Sequence, residues 1–390
     1  MSLPAEKLEA SEILRRLERS FPDLAKLRGS GGWIVGGAIR DVLLGREVTD
    51  VDLVFQSAEQ AARSFAAQAR ARTIVLGRPG VEAHRVTSRG RAYDFAELTR
   101  GSIDADLSRR DFTLNAIALS LDRPEIVDPF DGRADLEASL VRQINARNFE
   151  DDPLRTLKGV RMAVALGFEL EADTRDAIEQ HAARIQSVAA ERVASELRLI
   201  AAAGLGRGVA LMKDTKLLDA LELQTSDTAI DRLDRIRTTD STTALSALVV
   251  ELDKTAIARF AERWKLSASE RQTFVVQREL LDRISGREFE DACAMRIAIY
   301  DAGAEEAERF GKIAVAANLS RSNDWAALVR TDLAAILQCD GLLNGDELRV
   351  RFGFEGKEIG KWKRRLLERQ ICGLTTTRQA AIEFIELSLK

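Results

Sequence analysis

Asp50 and Asp52 flank Val51 at the head of an apolar run, Val51-Asp52-Leu53-Val54-Phe55. Residues at i and i+2 of a strand project from the same face, so a strand here sets two carboxylates side by side. Burying two like charges without partners costs several kcal/mol each. Two arrangements relieve that cost. Either both groups face solvent, or both hold a divalent cation, which is the beginning of a phosphoryl-transfer site.

The residues before the pair favour the second arrangement. Trp33-Ile34-Val35 reads as a short strand running into Gly36-Gly37, and Arg40 to Leu44 reads as a helix stopped by Gly45. Glycines let backbone N–H groups approach a phosphate, and a helix N-terminus adds positive potential. Arg40 sits one turn into that helix, within reach of a triphosphate. Alone, the turn is better explained as a tight strand–helix connection with a solvated Arg. With Asp50 and Asp52 on the next strand, the phosphate reading prevails.

Residues 5–29 place Leu8, Ile13, Leu14 and Leu17 at helical spacing and predict one amphipathic opening helix. Val51 to Phe55 is the second strand, 58–72 a helix, and 73–76, 84–87 and 92–96 short strands. The first ~140 residues therefore read as mixed α/β. From about Asn148 the pattern changes: apolar residues recur at threes and fours and strand signals vanish. Helices are expected over 156–166, 173–181, 190–202 and 209–214, and in the same manner to Lys390. The predicted fold class is α+β, a small mixed sheet followed by an all-α region. The expected divisions are residues 1–30, 31–145, 146–210 and 211–390.

A chain of 390 residues suggests two to four domains. Its formal net charge of −4 excludes a protein that is basic throughout, so an anionic partner must be held by local Arg/Lys clusters. Cys293, Cys339 and Cys372 are odd in number and far apart, which predicts a reducing compartment and no disulfide framework. The N-terminus lacks a signal pattern, and no apolar run approaches the ~20 residues of a membrane span. The expectation is a cytoplasmic protein with no membrane contact. His84 and His181 are the only histidines, too few for a His-built zinc site, and no nucleophile elbow supports a catalytic triad.

Further constellations remain open on their own residues. Asp94, in Tyr93-Asp94-Phe95-Ala96, is equally a third catalytic carboxylate or a surface Asp on an edge strand, with Glu97 the next candidate. Arg109-Arg110-Asp111 suits phosphate and ribose hydroxyls, or is a solvated charge cluster. Pro153 fits a helix's first turn with Asp151 or Asp152 as N-cap. Asp152, Arg155, Lys158 and Arg161 then recur along one side, either as a solvated stripe or as a row facing a nucleotide. Lys357, Lys361, Lys363, Arg364, Arg365 and Arg369 form the clearest basic cluster of the helical region, an RNA-backbone candidate or a solvated face.

Together these segments resemble the class II branch of the polymerase-β-type nucleotidyltransferases, the family of tRNA nucleotidyltransferases and bacterial poly(A) polymerases. Its motifs occur in order: Gly36-Gly37-x-x-Arg40-Asp41 with Asp50-x-Asp52, then Arg109-Arg110-Asp111-Phe112-Thr113-x-Asn115-Ala116, then Asp152-Pro153-Leu154-Arg155, then Glu191-Arg192-Val193-x-x-Glu196-Leu197. Asp128-Pro129-Phe130-Asp131-Gly132 is similar to the family's linking turn, and the stretches 345–348 and 356–360 to its tail. The match is dense from Trp33 to Leu197 and thinner beyond.

The resemblance implies a catalytic head over 31–145, a helical neck over 146–210, and a helical body and tail that bind tRNA. Asp50 and Asp52 would hold Mg²⁺, with Asp94 as a further catalytic carboxylate. Gly36, Gly37 and Arg40 would bind the triphosphate, and Arg110 and Asp111 the phosphates and ribose. Asp152 and Arg155 would read the base of CTP or ATP, with Lys158 and Arg161 completing the pocket and the segment at Glu191 bracing it. The implied reaction is two-metal addition of CMP and AMP to the tRNA 3′ end, with release of pyrophosphate. CC-only or A-only addition, poly(A) synthesis, and a catalytically dead RNA-binding protein are the alternatives. The chain departs from the family pattern with Asp151 in place of Glu, with Lys158 in place of Arg, and with a short segment between His84 and Arg109. That shortness resembles the CC-only enzymes.

Overall fold

The computed structural model describes residues 6–78, 81–223, 227–236, 238–286, 289 and 291–390. They form two compact units, one running through residue 203 and including 208–223, the other holding 204–207 and the chain from 224 on.

The first unit opens with α1 (Ala10–Ser20), whose Ile13, Leu14 and Leu17 are buried. The single helix expected over 5–29 ends at Ser20, and a 3₁₀ helix takes over at Pro22–Leu27. Pro22 has no N–H to give to an α-helical bond and its ring crowds the preceding turn. Then come β1 (Trp33–Val35), α2 (Gly37–Leu43), β2 (Asp50–Phe55), α3 (Ala58–Ala69), β3 (Thr73–Arg78), β4 (Val81–Ser88) and β5 (Arg91–Glu97). After α4 (Ile103–Ser108) follow β6 (Ala118–Ser120), β7 (Ile126–Val127), α5 (Gly132–Ala138) and β8 (Leu140–Val141). The helical part holds α6 (Arg147–Asp151), α7 (Arg155–Leu166), α8 (Ala172–His181) and α9 (Ala190–Asp214), with β9 (Glu169–Leu170) between α7 and α8.

Seven strands make one sheet in the order β3-β4-β5-β2-β1-β6-β7. The β2–β5 pair is parallel and the rest are antiparallel. Alternation along β2 decides the two faces of the sheet. Val51, Leu53 and Phe55 are buried with Tyr93 and Phe95 of β5 on one face, which α3 covers through Phe65. Asp50 and Asp52 point from the other face and are exposed. On that face Val35, Val54 and Leu107 form a small apolar cluster beneath α4. The two-stranded parallel pair of β8 with β9 leaves no pattern in the sequence, because each strand is only two residues long and lies beside helical periodicity.

The second unit is helical in all its described elements, from Asp227–Arg235 to Arg378–Ser388. One core gathers Phe310, Ile299 and Trp325, whose Nε1 donates to the Ala307 carbonyl at 2.9 Å. A second core stacks Phe354 on Trp362 with Leu348 and Ile385 around them. Contrary to the expectation from cysteine count, Cys293 and Cys372 form a disulfide. Cys293 lies in helix Ala292–Ala302 and Cys372 caps helix Lys357–Ile371, and packing of these helices brings the Cα atoms to 4.9 Å across 79 residues of sequence. No helix among the described residues is long and apolar enough to cross a membrane.

Candidate active site

The two carboxylates stand where β2 enters the middle of the sheet, between β5 and β1. In register, Asp52 lies beside Asp94 on β5 and Val35 on β1. The Asp50 carboxylate accepts a hydrogen bond from Thr49 Oγ1 at 2.9 Å. Asp52 keeps solvent access, yet protein encloses it on most sides. That enclosure pushes its pKa up to about 6; Arg110 and Arg85 pull it down, while Asp50 and Asp94 add to the rise.

Gly36 forms the turn over this pair with φ 76° and ψ −134°, a conformation that only glycine takes readily. A Cβ there would lie 2.9 Å from Arg110 Nη1 and 3.7 Å from Asp52 Oδ2. The turn therefore leaves room for the Arg110 guanidinium beside Asp52. Asp106 at the end of α4 accepts from Arg110 Nε and Nη2 at 3.2 and 3.0 Å, which fixes the guanidinium from behind. The expected row of free phosphate ligands is altered at Arg40. Its guanidinium folds back beside Gly37, where it meets Asp41 at 2.9 Å and Asn115 Oδ1 at 2.7 Å. Asp111 accepts from Asn115 Nδ2 at 3.0 Å and from the Phe112 amide at 2.9 Å. Asn115 thus joins Arg40 to Asp111, a link that no sequence spacing announces.

Asp94, the neighbour of Asp52 in register, is engaged by another side chain. Arg85 on β4 holds it through Nε–Oδ1 at 2.7 Å and Nη2–Oδ2 at 2.6 Å. Among the described residues no group of three or more His, Cys, Asp or Glu side chains is arranged to hold a metal. Asp50 and Asp52 offer oxygen alone, and His84 lies on the opposite face in register with Phe95. A donor set of carboxylate oxygens fits Mg²⁺, which completes its shell with water and substrate phosphates.

The segment joining α6 to α7 packs against the same centre. Asn148 donates to the Arg110 carbonyl at 2.7 Å, and Arg155 Nη2 donates to the Arg109 carbonyl at 2.7 Å. Asp152 is not the N-cap of α7, which starts after Leu154; it ends α6 in an extended conformation and meets Arg192 Nη2 of α9 at 2.9 Å. Arg161 turns to the buried Glu196, also of α9, at 2.7 Å. Half-buried Lys158 makes no ion pair among the described residues. So the four residues expected in a row divide their attention. Arg155 and Arg161 tie the segment to Arg109 and α9, Asp152 shares its carboxylate with Arg192, and Lys158 keeps its charge open.

In the second unit Lys357, Lys361, Lys363, Arg364 and Arg365 lie on helix Lys357–Ile371, and all five are exposed. Arg364 is already neutralised by Asp301 at 2.6 Å and Glu368 at 2.6 Å. Arg365 covers the rings of Trp362 and Phe384, 5.0 and 4.9 Å from their centres. The three lysines make no ion pair among the described residues, while Arg365 keeps its charge against the rings.

Residues 32–142 match the poly A polymerase head domain, and residues 167–226 match a region described as the probable RNA and SrmB-binding site of polymerase A. A CC-adding tRNA nucleotidyltransferase of Synechocystis sp. is 42% identical over 43% of this chain, an alignment that spans only 41% of that relative. A CCA-adding enzyme of Streptococcus suis is 32% identical over 68% of this chain and 69% of its own length. The crystal structure of the Bacillus stearothermophilus CCA-adding enzyme in complex with CTP shares the fold, with a TM-score of 0.79 at 23% identity over 95% of this chain and 97% of that one. The chain belongs to the family of tRNA nucleotidyltransferases and poly(A) polymerases.

Proposed function

We propose that this protein adds CMP and AMP from CTP and ATP to the 3′ end of tRNA and releases pyrophosphate. One observation carries the reading: hydrogen bonds run unbroken from the Asp106-anchored Arg110 beside Asp52 to Asn148 and on to the Asp152–Arg155 segment. Asp50 and Asp52 would bind Mg²⁺, which when bound activates the primer hydroxyl and neutralises charge on pyrophosphate. Arg110 would orient the triphosphate between Gly36 and the carboxylates. Asp152 would accept from the base's exocyclic amine once Arg192 shares its carboxylate, and each good base contact is worth about 1–3 kcal/mol. The chain forms no covalent intermediate; positioning and charge supply the rate. The cytoplasm, where tRNA is processed, is the compartment that fits this substrate.

A second reading, addition of CC alone, is favoured by the connection between β5 and Arg110. It is short and bound to itself: Thr99 Oγ1 donates to Asp106 at 2.8 Å and accepts from Arg109 at 3.0 Å, and Gln56 holds the Gly101 carbonyl at 2.9 Å. A pocket edge so fixed has little freedom to reshape from CTP to ATP. Incubating tRNA that lacks its last three nucleotides with CTP, ATP or both, and reading product lengths, separates the readings. Full CCA ends support the first. A stop after two cytidines supports the second. Long A tails or no extension at all refute both.

A further inference from the structure

Helices Ala304–Ala316 and Ser322–Leu337 of the second unit pack through Phe310 and Trp325. Beside that contact, where helix Asp227–Arg235 ends, they leave an open cavity of about 790 Å³. Its apolar lining is aliphatic: Ile236, Val315, Ala326 and Val329 contribute, and Val315 is 44% exposed. Its charged lining is mostly cationic. Arg235, Lys312 and Arg330 stand around it, all exposed, with Glu308 as the one carboxylate. Three positive charges against one negative leave a net charge of +2. Several arginines of this unit are neutralised, Arg232 by Glu251, Arg296 by Asp332, and Arg309 by Glu305 and Glu306. Around the cavity the pattern differs. Among the described residues Lys312 and Arg330 have no carboxylate partner, and Arg235 donates to the Ala316 carbonyl at 3.5 Å.

We propose that this cavity binds a small aliphatic anion, a hydrocarbon chain ending in a carboxylate. A concave, largely apolar space of this size with a few polar groups is the usual form of a small-molecule site. The hydrocarbon chain would cover Val315 and Val329 and remove apolar surface from water. The headgroup would meet Lys312 and Arg330, whose charge-assisted hydrogen bonds to a carboxylate are the strong kind. Charge therefore sets the sign of the ligand, and the lining sets its body. An RNA segment is a poorer occupant, because none of the lining residues offers an aromatic ring for an unstacked base. None of these residues is among those given above to nucleotide, and none lies on helix Lys357–Ile371. The site is thus additional to the catalytic reading and does not depend on it.

Calorimetric titration of the full chain with decanoate below its micellar concentration tests this, with decyltrimethylammonium as the oppositely charged control. Decanoate should bind at a single saturable site and raise the thermal midpoint, and the cation should bind at least about tenfold more weakly. Lys312→Glu combined with Arg330→Glu should weaken decanoate binding by about tenfold or more, through the lost charge-assisted bonds. Ala326→Trp, which fills the cavity and keeps its charge, should weaken it by about tenfold as well. Saturating tRNA should leave the decanoate affinity unchanged. Equal binding of the two amphiphiles would overturn the proposal, as would unchanged affinity in either folded variant. Displacement of decanoate by tRNA would overturn it too, by giving the cavity to the RNA. Far-UV dichroism identifies a variant that has not folded, and the comparison of the two amphiphiles on the wild-type chain then still decides.

Discussion

Gly36 shows how one residue type sets the chemistry around it. Its backbone takes φ 76°, and the absent side chain is the space in which Arg110 approaches Asp52. Gly36→Ala should cost about 1–3 kcal/mol in backbone strain and push the guanidinium aside. The urea midpoint should fall, and incorporation should fall further than that loss of stability explains. Asp23 is a second single-residue case, placed away from the site. Burial pushes its carboxyl up, but hydrogen bonds from Lys26 and Ser88 and the charges of Lys26 and Arg89 outweigh that, so its pKa lies below the ordinary 3.8. A carboxylate with a depressed folded pKa contributes stability that is present above 3.8 and lost as pH falls through the lower folded value. Thermal unfolding of wild type and Asp23→Asn should therefore differ at neutral pH, with the gap closing in acid. A gap independent of pH would show that the ion pairs are not its source.

Among the elements, α5 is seated against backbone. A Cβ on Gly132 would lie 2.3 Å from the Thr113 carbonyl oxygen, which is backbone and cannot swing away. Gly132→Ala should shift α5 from the turn that positions Asp111, at the roughly 1–3 kcal/mol typical of overpacking, with a matching drop in denaturation midpoint. Elements with strong local signals were legible in the sequence. The alternating Val51, Leu53 and Phe55 against Asp50 and Asp52 announced β2 and its open face, and Gly36-Gly37 announced the turn into α2. What the sequence hid depends on partners far along the chain. Nothing near Asp94 shows that Arg85 will lie opposite it across β4, because register is fixed by the hairpin and the buried face together. Arg192 and Asp152 are forty residues apart and meet only because α9 packs beside the α6–α7 turn. The pairing of Cys293 with Cys372 is the same kind of event, since spacing carries no record of which helices pack.

At the scale of the molecule, the net charge of −4 concentrates any affinity for RNA into local basic surfaces. On helix Lys357–Ile371 the lysines Lys357, Lys361 and Lys363 face solvent unpaired among the described residues, whereas Arg364 is spent on Asp301 and Glu368 and Arg365 lies over Trp362 and Phe384. Changing the three lysines to Ala should weaken tRNA binding and flatten its salt dependence, by up to about 0.7–0.9 in logarithmic slope for each phosphate no longer neutralised. Incorporation at saturating tRNA should be spared, since the lysines lie outside the residues proposed to handle nucleotide. An unchanged salt slope would mean that this face does not meet the backbone. The central claim belongs to the whole chain acting on one substrate: Asp50 and Asp52 drive nucleotide addition to the tRNA end. Its most direct test is incorporation of labelled CMP into tRNA lacking its 3′ terminus, by wild type and by Asp52→Asn, with tRNA affinity measured in parallel. The account predicts that incorporation falls by about 10³-fold or more, the several kcal/mol that metal-borne charge stabilisation supplies, while tRNA binding is retained. Undiminished incorporation by a folded Asp52→Asn protein would contradict it.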